Sequence, residues 1–320
     1  MTTRPLGKSG ISVAPIALGG NVFGWTIDEK ASFPILDAFL ENGFNLIDTA
    51  NMYSTWVPGN QGGESEAIIG NWLHARGNRD KFVLATKVGM PMGDGSQGLR
   101  KEYIIAQVED SLRRLRTDYI DLYQSHQDDS STPIEETLEA YTALVASGKV
   151  RAIGASNFGA QRLKESQSVA EAQSLVSYVS LQPQYNLVER EDYETNLEPY
   201  VLEQGLAVIP YYSLASGFLT GKYRSKEDLK KSARGGSVEG YLNGNGPEVL
   251  KALDHVSEEQ SAPLASVALA WLIARKSITA PIVSATSVEQ LQQSLKAATL
   301  TLTPEQIERL DQASRPSVAN

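Results

Sequence analysis

Four side chains in the first 126 residues have the types needed to protonate a carbonyl oxygen. Asp48 and Tyr53 lie in "FNLIDTANMY" (44–53), Lys87 lies in "FVLATKV" (82–88), and His126 follows "DYIDLYQ" (118–124) by two residues. A tyrosine phenol has a pKa of about 10 in water. An ammonium nearby stabilises the phenolate, so we expect Lys87 to lower the pKa of Tyr53 and make it a better acid.

Charge balance predicts roles for the other two residues. A buried ammonium is unfavourable without a counterion, so we expect Asp48 to pair with Lys87 and orient it. His126 can donate a hydrogen bond to a substrate carbonyl. Together these groups could supply the proton of a carbonyl reduction. No side chain can supply the hydride, so a nicotinamide cofactor is implied. Each residue alone would also suit packing or a solvated rim, and only their joint occurrence favours catalysis.

These residues follow short apolar segments that alternate with amphipathic ones. Helical spacing is clear at 64–76 and 102–115, and a further helix is predicted with Thr132 as its N-cap, Pro133 at its first position and Gly148 at its end. Eight strand–helix units predict a single (β/α)8 TIM barrel domain over residues 1–320. The eight apolar segments are 16–20, 45–50, 82–88, 118–124, 150–156, 179–184, 206–212 and 279–285.

An open doubly wound sheet is the alternative fold. It is usually marked by a G-x-G-x-x-G turn after the first strand, and "LGGNVFG" (18–24) lacks that spacing. "GKSG" (7–10) lacks the first glycine of a phosphate-binding P-loop and is predicted to close an N-terminal β-hairpin. In a barrel, the long interruptions 54–63 and 214–247 would be loops at the C-terminal face, where ligands bind.

Composition narrows the class of protein. The chain has 320 residues, 41% of them hydrophobic, and a net charge of −9, which argues against nucleic acid as a partner. With no cysteine and only the dispersed His74, His126 and His255, no metal site is expected. The N-terminus lacks the apolar run of a signal peptide and no segment is apolar enough to cross a membrane, which predicts a cytoplasmic protein. The sequence does not indicate an oligomeric state.

Several longer motifs resemble those of the aldo-keto reductase superfamily over nearly the whole chain. Within the superfamily, these motifs are most similar to those of bacterial sugar and aldehyde reductases and of the branch that contains potassium-channel beta subunits. The resemblance implies a TIM barrel and an NAD(P)(H)-dependent oxidoreductase, with Asp48, Tyr53, Lys87 and His126 as a catalytic tetrad and Tyr53 as general acid/base. The motifs are "NLIDTANMY", "ATKVG", "DYIDLYQSH", "GKVRAIGASNF", "LQPQYNL", "PYYSLASGFLTGKY" and "IVSATSVEQLQQSL".

The resemblance also implies where a cofactor would bind. Ser156, Asn157 and Gln182 would hold the nicotinamide carboxamide, and Tyr212 would stack on the ring. The loop after the seventh strand would hold the pyrophosphate, and the segment 282–320 would cover the adenosine end. The remaining cofactor-binding residues implied are Gly20, Asn21, Asp48, Ser213, Leu214, Ser216, Gly217, Leu219, Thr220, Lys222, Arg234, Ser284, Thr286, Gln290, Gln293 and Ser294.

The adenosine segment departs from the family pattern. Many members have a basic residue here for the 2′-phosphate of NADP, whereas 282–294 has none, and Gln293 and Ser294 replace a common Glu-Asn pair. A phosphate without a cation loses charge-assisted hydrogen bonds. We expect Lys222 and Arg234, from the long loop, to supply the charge, as in potassium-channel beta subunits. NADP is therefore the predicted cofactor, with NAD as the alternative.

The substrate is a small carbonyl or alcohol whose identity the sequence does not give. Aromatic walls with a polar edge would suit a sugar or another polyhydroxylated ring. Two other functions remain open. One is a regulatory or redox-sensing subunit with slow chemistry, disfavoured by the short segment before the first barrel strand. The other is a cofactor-free barrel enzyme, disfavoured by the absence of clustered metal ligands. The predicted substrate-binding residues are Phe23, Trp25, Met52, Trp56, Met90 and Gln127, with Asp128 and Asp129 nearby.

Overall fold

The computed structural model describes residues 2–231 and 235–315 of the chain. Its strands are β1 (Arg4–Pro5), β2 (Ser12–Val13), β3 (Ala17–Gly19), β4 (Leu46–Asp48), β5 (Val83–Val88), β6 (Ile120–Ser125), β7 (Val150–Ser156), β8 (Tyr178–Gln182), β9 (Ala207–Val208) and β10 (Ile282–Val283). Its α-helices are α1 (Glu29–Glu41), α2 (Glu64–Arg76), α3 (Lys101–Leu115), α4 (Ile134–Ala146), α5 (Ala160–Gln173), α6 (Glu198–Gln204), α7 (Glu239–Asn243), α8 (Gly246–Gln260), α9 (Leu264–Ile273), α10 (Val288–Leu295) and α11 (Pro304–Ala313).

Strands β3 to β10 form one parallel sheet that curls into a barrel. The order is β10-β3-β4-β5-β6-β7-β8-β9. The outer strands also meet, because the backbone N–H groups of Thr279 and Ile282 donate to the carbonyls of Val208 and Pro210 at 2.8 and 2.9 Å. An open doubly wound sheet would leave these edges apart. The predicted (β/α)8 barrel is confirmed, as is the N-terminal hairpin, in which β1 and β2 pair antiparallel.

The elements follow the sequence pattern closely. Each of the eight predicted apolar segments overlaps a barrel strand, and α2 spans the predicted 64–76. Gly148 follows α4 with φ +76°, a conformation that glycine adopts without strain, so it ends the helix as predicted. The prediction of Thr132 as N-cap was wrong. Pro133 is the N-cap of α4, and the Thr132 hydroxyl donates instead to the Asp129 carboxylate at 2.7 Å, a stronger acceptor.

Side chains along each barrel strand alternate between the barrel interior and the helix layer. Small and branched apolar residues fill the lower interior, and the opposite faces pack under the helices. Because strands have a period of two, the residues two positions beyond Leu46, Ala85 and Leu122 also point inward, at the C-terminal end. These residues are Asp48, Lys87 and Gln124, and all are buried.

The hairpin closes the other end of the barrel. Leu6, Ile11 and Val13 are buried in the same apolar cluster as the lower interior residues. Gly7, in the hairpin turn, has φ +55°, and a methyl group on it would lie 2.2 Å from the carbonyl oxygen of Val179. The turn therefore rests against barrel backbone, and water is excluded from the N-terminal end. An open mouth remains at the C-terminal end.

A membrane-crossing helix would have to be both long and apolar, and the described residues form none that meets both requirements.

The hairpin contact predicts unequal effects of two similar substitutions. Gly7→Ala and Gly10→Ala both place a side chain at positive φ, which costs about 1–2 kcal/mol. Nothing lies within 4 Å of a methyl group on Gly10, whereas on Gly7 it would overlap the Val179 carbonyl. Displacing that carbonyl should cost Gly7→Ala about 1–3 kcal/mol more free energy of unfolding, measured by urea denaturation. Equal losses for the two variants would mean that the hairpin does not seat on the barrel.

Candidate active site

The centre of the candidate site is the ammonium group of Lys87, whose side chain is 0% exposed. Its Nζ donates to Asp48 Oδ2 at 2.6 Å, to the carbonyl of Thr49 at 2.8 Å and to the Tyr53 hydroxyl at 2.9 Å. An ammonium has three N–H donors, so each has an acceptor. Burial disfavours the charged form, but attraction and hydrogen bonds from Asp48 and Tyr53 raise the pKa of Lys87 above its ordinary value. The lysine is therefore a fixed positive charge.

Neighbouring strands bring these groups together. Asp48 is the last residue of β4 and pairs with Ala85 of β5, so Lys87 lies two residues further along on the same inward face. Tyr53 lies in the turn after β4. The backbone N–H of Asn51 in that turn donates to the carbonyl of Lys87 at 3.1 Å, which ties the turn to β5. The short spacing between Asp48 and Tyr53 thus returns the phenol over the lysine.

The hydroxyl hydrogen of Tyr53 is not used in its contact with Lys87. Its oxygen accepts from Lys87, so its own hydrogen remains for another partner. The expectation of a lowered pKa was wrong for this state of the site. Burial, together with the negative charge of Asp48, raises the pKa of Tyr53 above its ordinary value despite the opposing effect of Lys87. The phenol is consequently protonated at neutral pH, as a general acid must be.

His126 lies directly after β6, and its imidazole ring packs against the ring of Tyr53. Its backbone N–H donates to the carbonyl of Val88 at 2.8 Å, and its ring lies edge-on to that of Tyr53 with centroids 5.9 Å apart. Burial and the charge of Lys87 hold the pKa of His126 well below its usual value. The imidazole is therefore neutral and carries one N–H donor. Its buried Nδ1 has no hydrogen-bond partner in the described part of the chain. All four residues of the predicted tetrad therefore converge.

Asp48 is held by its second oxygen as well. Oδ1 accepts from Gln124 Nε2 at 2.9 Å and from Gln182 Nε2 at 3.0 Å, and Gln182 Nε2 also donates to Gln124 Oε1 at 3.2 Å. Gln124 was absent from the sequence predictions. The sequence did contain a signal for Gln124, because a polar residue two positions after Leu122 on the same strand must point into the barrel.

The three residues predicted to hold a carboxamide lie together beside this network. Ser156 Oγ donates to the Gln182 carbonyl at 2.9 Å, and Asn157 Nδ2 donates to the His126 carbonyl at 2.8 Å. Asn157 Oδ1 accepts from the Tyr211 hydroxyl at 2.8 Å. Tyr211 is a second residue that the sequence reasoning missed, although its position in the inward register of the seventh barrel strand was a signal.

Tyr212 presents an exposed ring next to these residues. It is 48% exposed although large, and its backbone has φ +53°. The fully buried Asn186 holds that backbone by donating to the Tyr212 carbonyl at 3.0 Å. An exposed aromatic face on a fixed backbone suits the predicted stacking role. Asn186, in "LQPQYNL", was also missed.

The loop after β9 has a backbone suited to anions. Ala215, Ser216 and Gly217 have φ of +47°, +55° and +91°. Turns of this kind point successive backbone N–H groups to one side, which favours anion binding. A methyl group on Gly217 would lie 2.9 Å from Lys222 Nζ, so that ammonium lies against the loop. Arg234, the second predicted cation, is outside the described residues.

Other predicted residues of this loop have internal partners. Ser213 Oγ donates to the Pro210 carbonyl at 3.0 Å, and Thr220 Oγ1 donates to the Gly217 carbonyl at 2.7 Å. Leu219 is fully buried and Leu214 is partly buried. Their side chains shape the loop, and the loop backbone is what a ligand would meet.

The predicted adenosine segment is joined to the first barrel strand. Ser284 Oγ donates to Asn21 Oδ1 at 2.5 Å, which brings Gly20 and Asn21 beside the segment. Gln290 Oε1 accepts from both the N–H and the hydroxyl of Thr286, at 3.0 and 2.9 Å. Ser294 Oγ donates to the Gln290 carbonyl at 3.2 Å, and the Gln293 carbonyl accepts from Ser266.

These groups together fit a nicotinamide dinucleotide. Gln182 uses its amide N–H groups on Asp48 and Gln124, and its Oε1 accepts no hydrogen bond within the described ranges. That free oxygen suits the NH₂ of a carboxamide. The loop backbone beside Lys222 suits a phosphate. Within residues 2–231 and 235–315, no group of three metal-ligating side chains could hold a metal ion.

The mouth is lined by aromatic and polar groups. Trp25 and Trp56 pack edge-to-face with centroids 5.6 Å apart, and Trp56 lies 6.0 Å from the Tyr53 ring. Met52 and Met90 are partly buried. Phe23 was wrongly predicted to line the mouth. Its side chain is fully buried because it packs within the main hydrophobic core, so it has no surface to offer a substrate.

A polar cavity of about 400 Å³ is lined in part by Gln127, the residue that follows His126 in the chain. Hydrogen bonds from Ser131, Thr132 and Leu99 outweigh burial and lower the pKa of Asp129 to about 2. Asp128 pairs with Arg162 at 2.8 Å. The cavity is therefore charged and strongly polar. Its lining residues are Gly89, Gly95, Ser96, Gln97, Gly98, Arg100, Gln127, Asp128, Asp129 and Ser131.

Comparison with known proteins gives a family match and close relatives. The aldo/keto reductase family model matches residues 15–315. The Bacillus subtilis (strain 168) protein YrpG, an uncharacterized oxidoreductase, is 38% identical over 96% of this chain and 94% of its own length. An aryl-alcohol dehydrogenase (NADP(+)) of Phanerodontia chrysosporium is 34% identical over 94% of this chain and 83% of its own. A probable voltage-gated potassium channel subunit beta of Arabidopsis thaliana is 31% identical over 98% and 96%.

The buried pair predicts strong coupling between Asp48 and Lys87. Lys87→Met and Asp48→Asn should each lower the free energy of unfolding by about 3–5 kcal/mol, because each leaves a buried charge without its partner. The double variant should lose less than the sum, with a coupling above about 1 kcal/mol in urea denaturation. The exposed pair Lys251–Glu248, at 2.7 Å, is the control, and its coupling should stay below about 0.5 kcal/mol. Additive losses at 48 and 87 would contradict the pairing.

Proposed function

The chain belongs to the aldo/keto reductase family, and we propose that it transfers a hydride between a nicotinamide dinucleotide and the carbonyl carbon of a small substrate. The single observation that carries the proposal is the 2.9 Å hydrogen bond from the buried Lys87 ammonium to the Tyr53 hydroxyl. It leaves a neutral phenol with its proton available, beside a fixed positive charge. The relatives with oxidoreductase names support the same class of reaction.

The residues of the chain would divide the proton chemistry among them. The bound cofactor supplies the hydride. Tyr53 donates its proton to the substrate oxygen as negative charge develops there. Lys87 stabilises the resulting phenolate, and Asp48 keeps the lysine charged and oriented. The neutral His126 donates a hydrogen bond to the same oxygen and fixes the carbonyl. In alcohol oxidation Tyr53 would act as the base.

We assign NADP as the preferred cofactor, with NAD as the alternative. The support is the ammonium of Lys222 beside the loop of positive-φ residues, and the NADP(+) in the name of the Phanerodontia chrysosporium relative. The segment 282–294 contains no Lys or Arg, so a 2′-phosphate would depend on cations from this loop.

The mouth favours a hydroxylated carbonyl substrate. Trp25 and Trp56 offer an apolar wall, and Gln127, next to His126 in the chain, lines the polar cavity. An apolar chain could not replace the water that hydrates the polar lining of that cavity, whereas hydroxyl groups could both donate and accept hydrogen bonds there. A panel of aldehydes matched in length, with and without hydroxyl groups, assayed with both dinucleotides, tests this preference.

A regulatory subunit with slow chemistry is the second candidate. The observation that favours it is the match to the potassium channel subunit beta relative, which covers 96% of that protein. The arrangement of Asp48, Tyr53, Lys87 and His126 serves either function. Sustained turnover in the steady state supports the enzyme, and a single slow turnover with retained cofactor supports the regulatory subunit.

Replacing the proposed acid tests the function directly. Tyr53→Phe keeps the ring and removes the proton, so kcat should fall by roughly 10²–10⁴-fold while the dissociation constant of the dinucleotide stays nearly unchanged. Steady-state kinetics and fluorescence titration measure the two quantities. Tyr200→Phe, the same change in helix α6, should behave as wild type. A Tyr53→Phe enzyme with more than about a tenth of wild-type turnover would remove Tyr53 from this role.

The cofactor assignment predicts a selective effect at Lys222. Lys222→Met should weaken NADPH binding roughly tenfold more than NADH binding, because a hydrogen bond between charged groups contributes about 1.5–3 kcal/mol and solvent screens part of it. Fluorescence titration with both dinucleotides measures the two constants. Lys230→Met, in the same loop, should change neither. Equal losses would place Lys222 on the pyrophosphate, and no loss would make it a surface charge.

A further inference from the structure

Gln124 connects two parts of the site that the proposed function treats separately. Its side chain is fully buried inside the barrel. Nε2 donates to Asp48 Oδ1 at 2.9 Å, and Oε1 accepts from Gln182 Nε2 at 3.2 Å. Asp48 belongs to the proton-donating cluster, and Gln182 belongs to the group that fits the carboxamide. Gln124 contacts both with a single amide.

The polarity of this network is fixed by the carboxylate. An ionised carboxylate only accepts hydrogen bonds, so Gln124 and Gln182 must both turn their nitrogen atoms toward Asp48. The oxygen of Gln124 then points to Gln182 and takes its second N–H. Gln182 has no N–H left over, and its Oε1 is the atom that remains for a ligand. The orientation of Gln182 thus depends on both Asp48 and Gln124.

The fold reserves space for this side chain. Gln124 pairs with Lys87 on β5 and with Gly154 on β7. A methyl group on Gly154 would lie 3.1 Å from Gln124 Cγ and 2.4 Å from Ser180 Oγ. A larger residue at 154 would therefore press on Gln124. The bare backbone at this position lets the amide lie across the barrel between β4 and β8.

We propose that Gln124 is a positioning residue that holds Asp48 and Gln182 in one hydrogen-bond network and so links the orientation of Lys87 and Tyr53 to that of the carboxamide site. The proposal rests on the proposed function for its effect on turnover. Its effect on the Asp48 carboxylate follows from the hydrogen bonds alone and can be tested without cofactor.

Gln124→Glu gives a test with a distinctive pH dependence, because it replaces an amide by a carboxyl of nearly equal shape. When protonated, the new carboxyl can donate to Asp48 and accept from Gln182, as the amide does. When ionised, it faces Asp48 as a second negative charge. Burial and Asp48 should raise its folded-state pKa above the unfolded value of about 4.3, because the opposing charge of the neighbouring Lys87 is already balanced by Asp48. The variant should therefore resemble wild type at low pH and lose function as pH rises through the raised pKa.

A raised pKa at position 124 predicts the outcome of three measurements. Relative to wild type, the melting temperature of cofactor-free Gln124→Glu should fall as pH rises from about 4, since a raised carboxyl pKa stabilises the fold only at low pH. The dissociation constant for NADPH, from fluorescence titration, should rise about tenfold or more over the same range. The ratio of variant to wild-type kcat should fall over the same range of rising pH.

Two further variants separate positioning from simple packing. Gln124→Met fills similar space without hydrogen bonds, so its losses should be independent of pH. Gln107→Glu is the matched control, because Gln107 Oε1 accepts from Asn51 at 2.8 Å and a carboxylate keeps that bond. Its pH profiles should follow wild type. If Gln124→Glu does not fold at any pH, a Gln124→Met enzyme with unchanged kcat and unchanged NADPH affinity overturns the proposal.

The outcomes distinguish this inference from the proposed function. If wild type turns over and Gln124→Glu follows its pH profile in all three measurements, Gln124 has no positioning role and the function stands. If wild type shows no turnover with any carbonyl, the proposed function fails. The pH-dependent melting temperature of Gln124→Glu would then still support, or its absence overturn, the hold on Asp48.

Discussion

The burial of one ammonium group determines much of the architecture of the site. Lys87 has no contact with solvent, so its charge persists only because Asp48, Thr49 and Tyr53 accept all its hydrogen bonds. Those acceptors come from the end of β4 and the turn beyond it, and that turn must fold back over β5. Asp48 in turn needs donors for its other oxygen, which brings in Gln124 and Gln182. One desolvated charge thus fixes five neighbours.

The barrel places these groups by the period of its strands. The lower interior is apolar and closed by the hairpin. On three strands, the inward-facing residue two positions beyond the last small or apolar one is polar and lies at the open end. Ala85 is followed by Lys87, Leu122 by Gln124, and Gly154 by Ser156. The apolar interior below the site keeps water away from the Lys87 ammonium. Burial also raises the pKa of Tyr53, so the phenol keeps its proton at neutral pH.

Local patterns in the sequence were enough to predict the strands and the convergence of Asp48, Tyr53, Lys87 and His126, because both depend on short-range periodicity and on charge pairing. The errors were at positions where distant atoms decide. Phe23 is buried by core packing, Thr132 is drawn to Asp129, and the pKa of Tyr53 depends on how deeply the turn is covered. Gln124 could have been found, since the alternation that places Lys87 also places it. Amide orientation in Gln182 could not, because it requires knowing which atom faces Asp48.

Two residues beside the predicted carboxamide site have backbone conformations that are unfavourable for side chains other than glycine. Asn157 and Tyr212 have φ of +56° and +53°, a region that costs non-glycine residues about 1–2 kcal/mol each. Each is held from outside: Tyr211 donates to Asn157, and the buried Asn186 donates to the Tyr212 carbonyl. The rigid barrel offsets this cost, and the strained backbone aims an amide and an aromatic ring into the mouth. A relaxed backbone at either residue would direct those groups elsewhere, so under the proposed function this strain would orient both groups toward the planar nicotinamide.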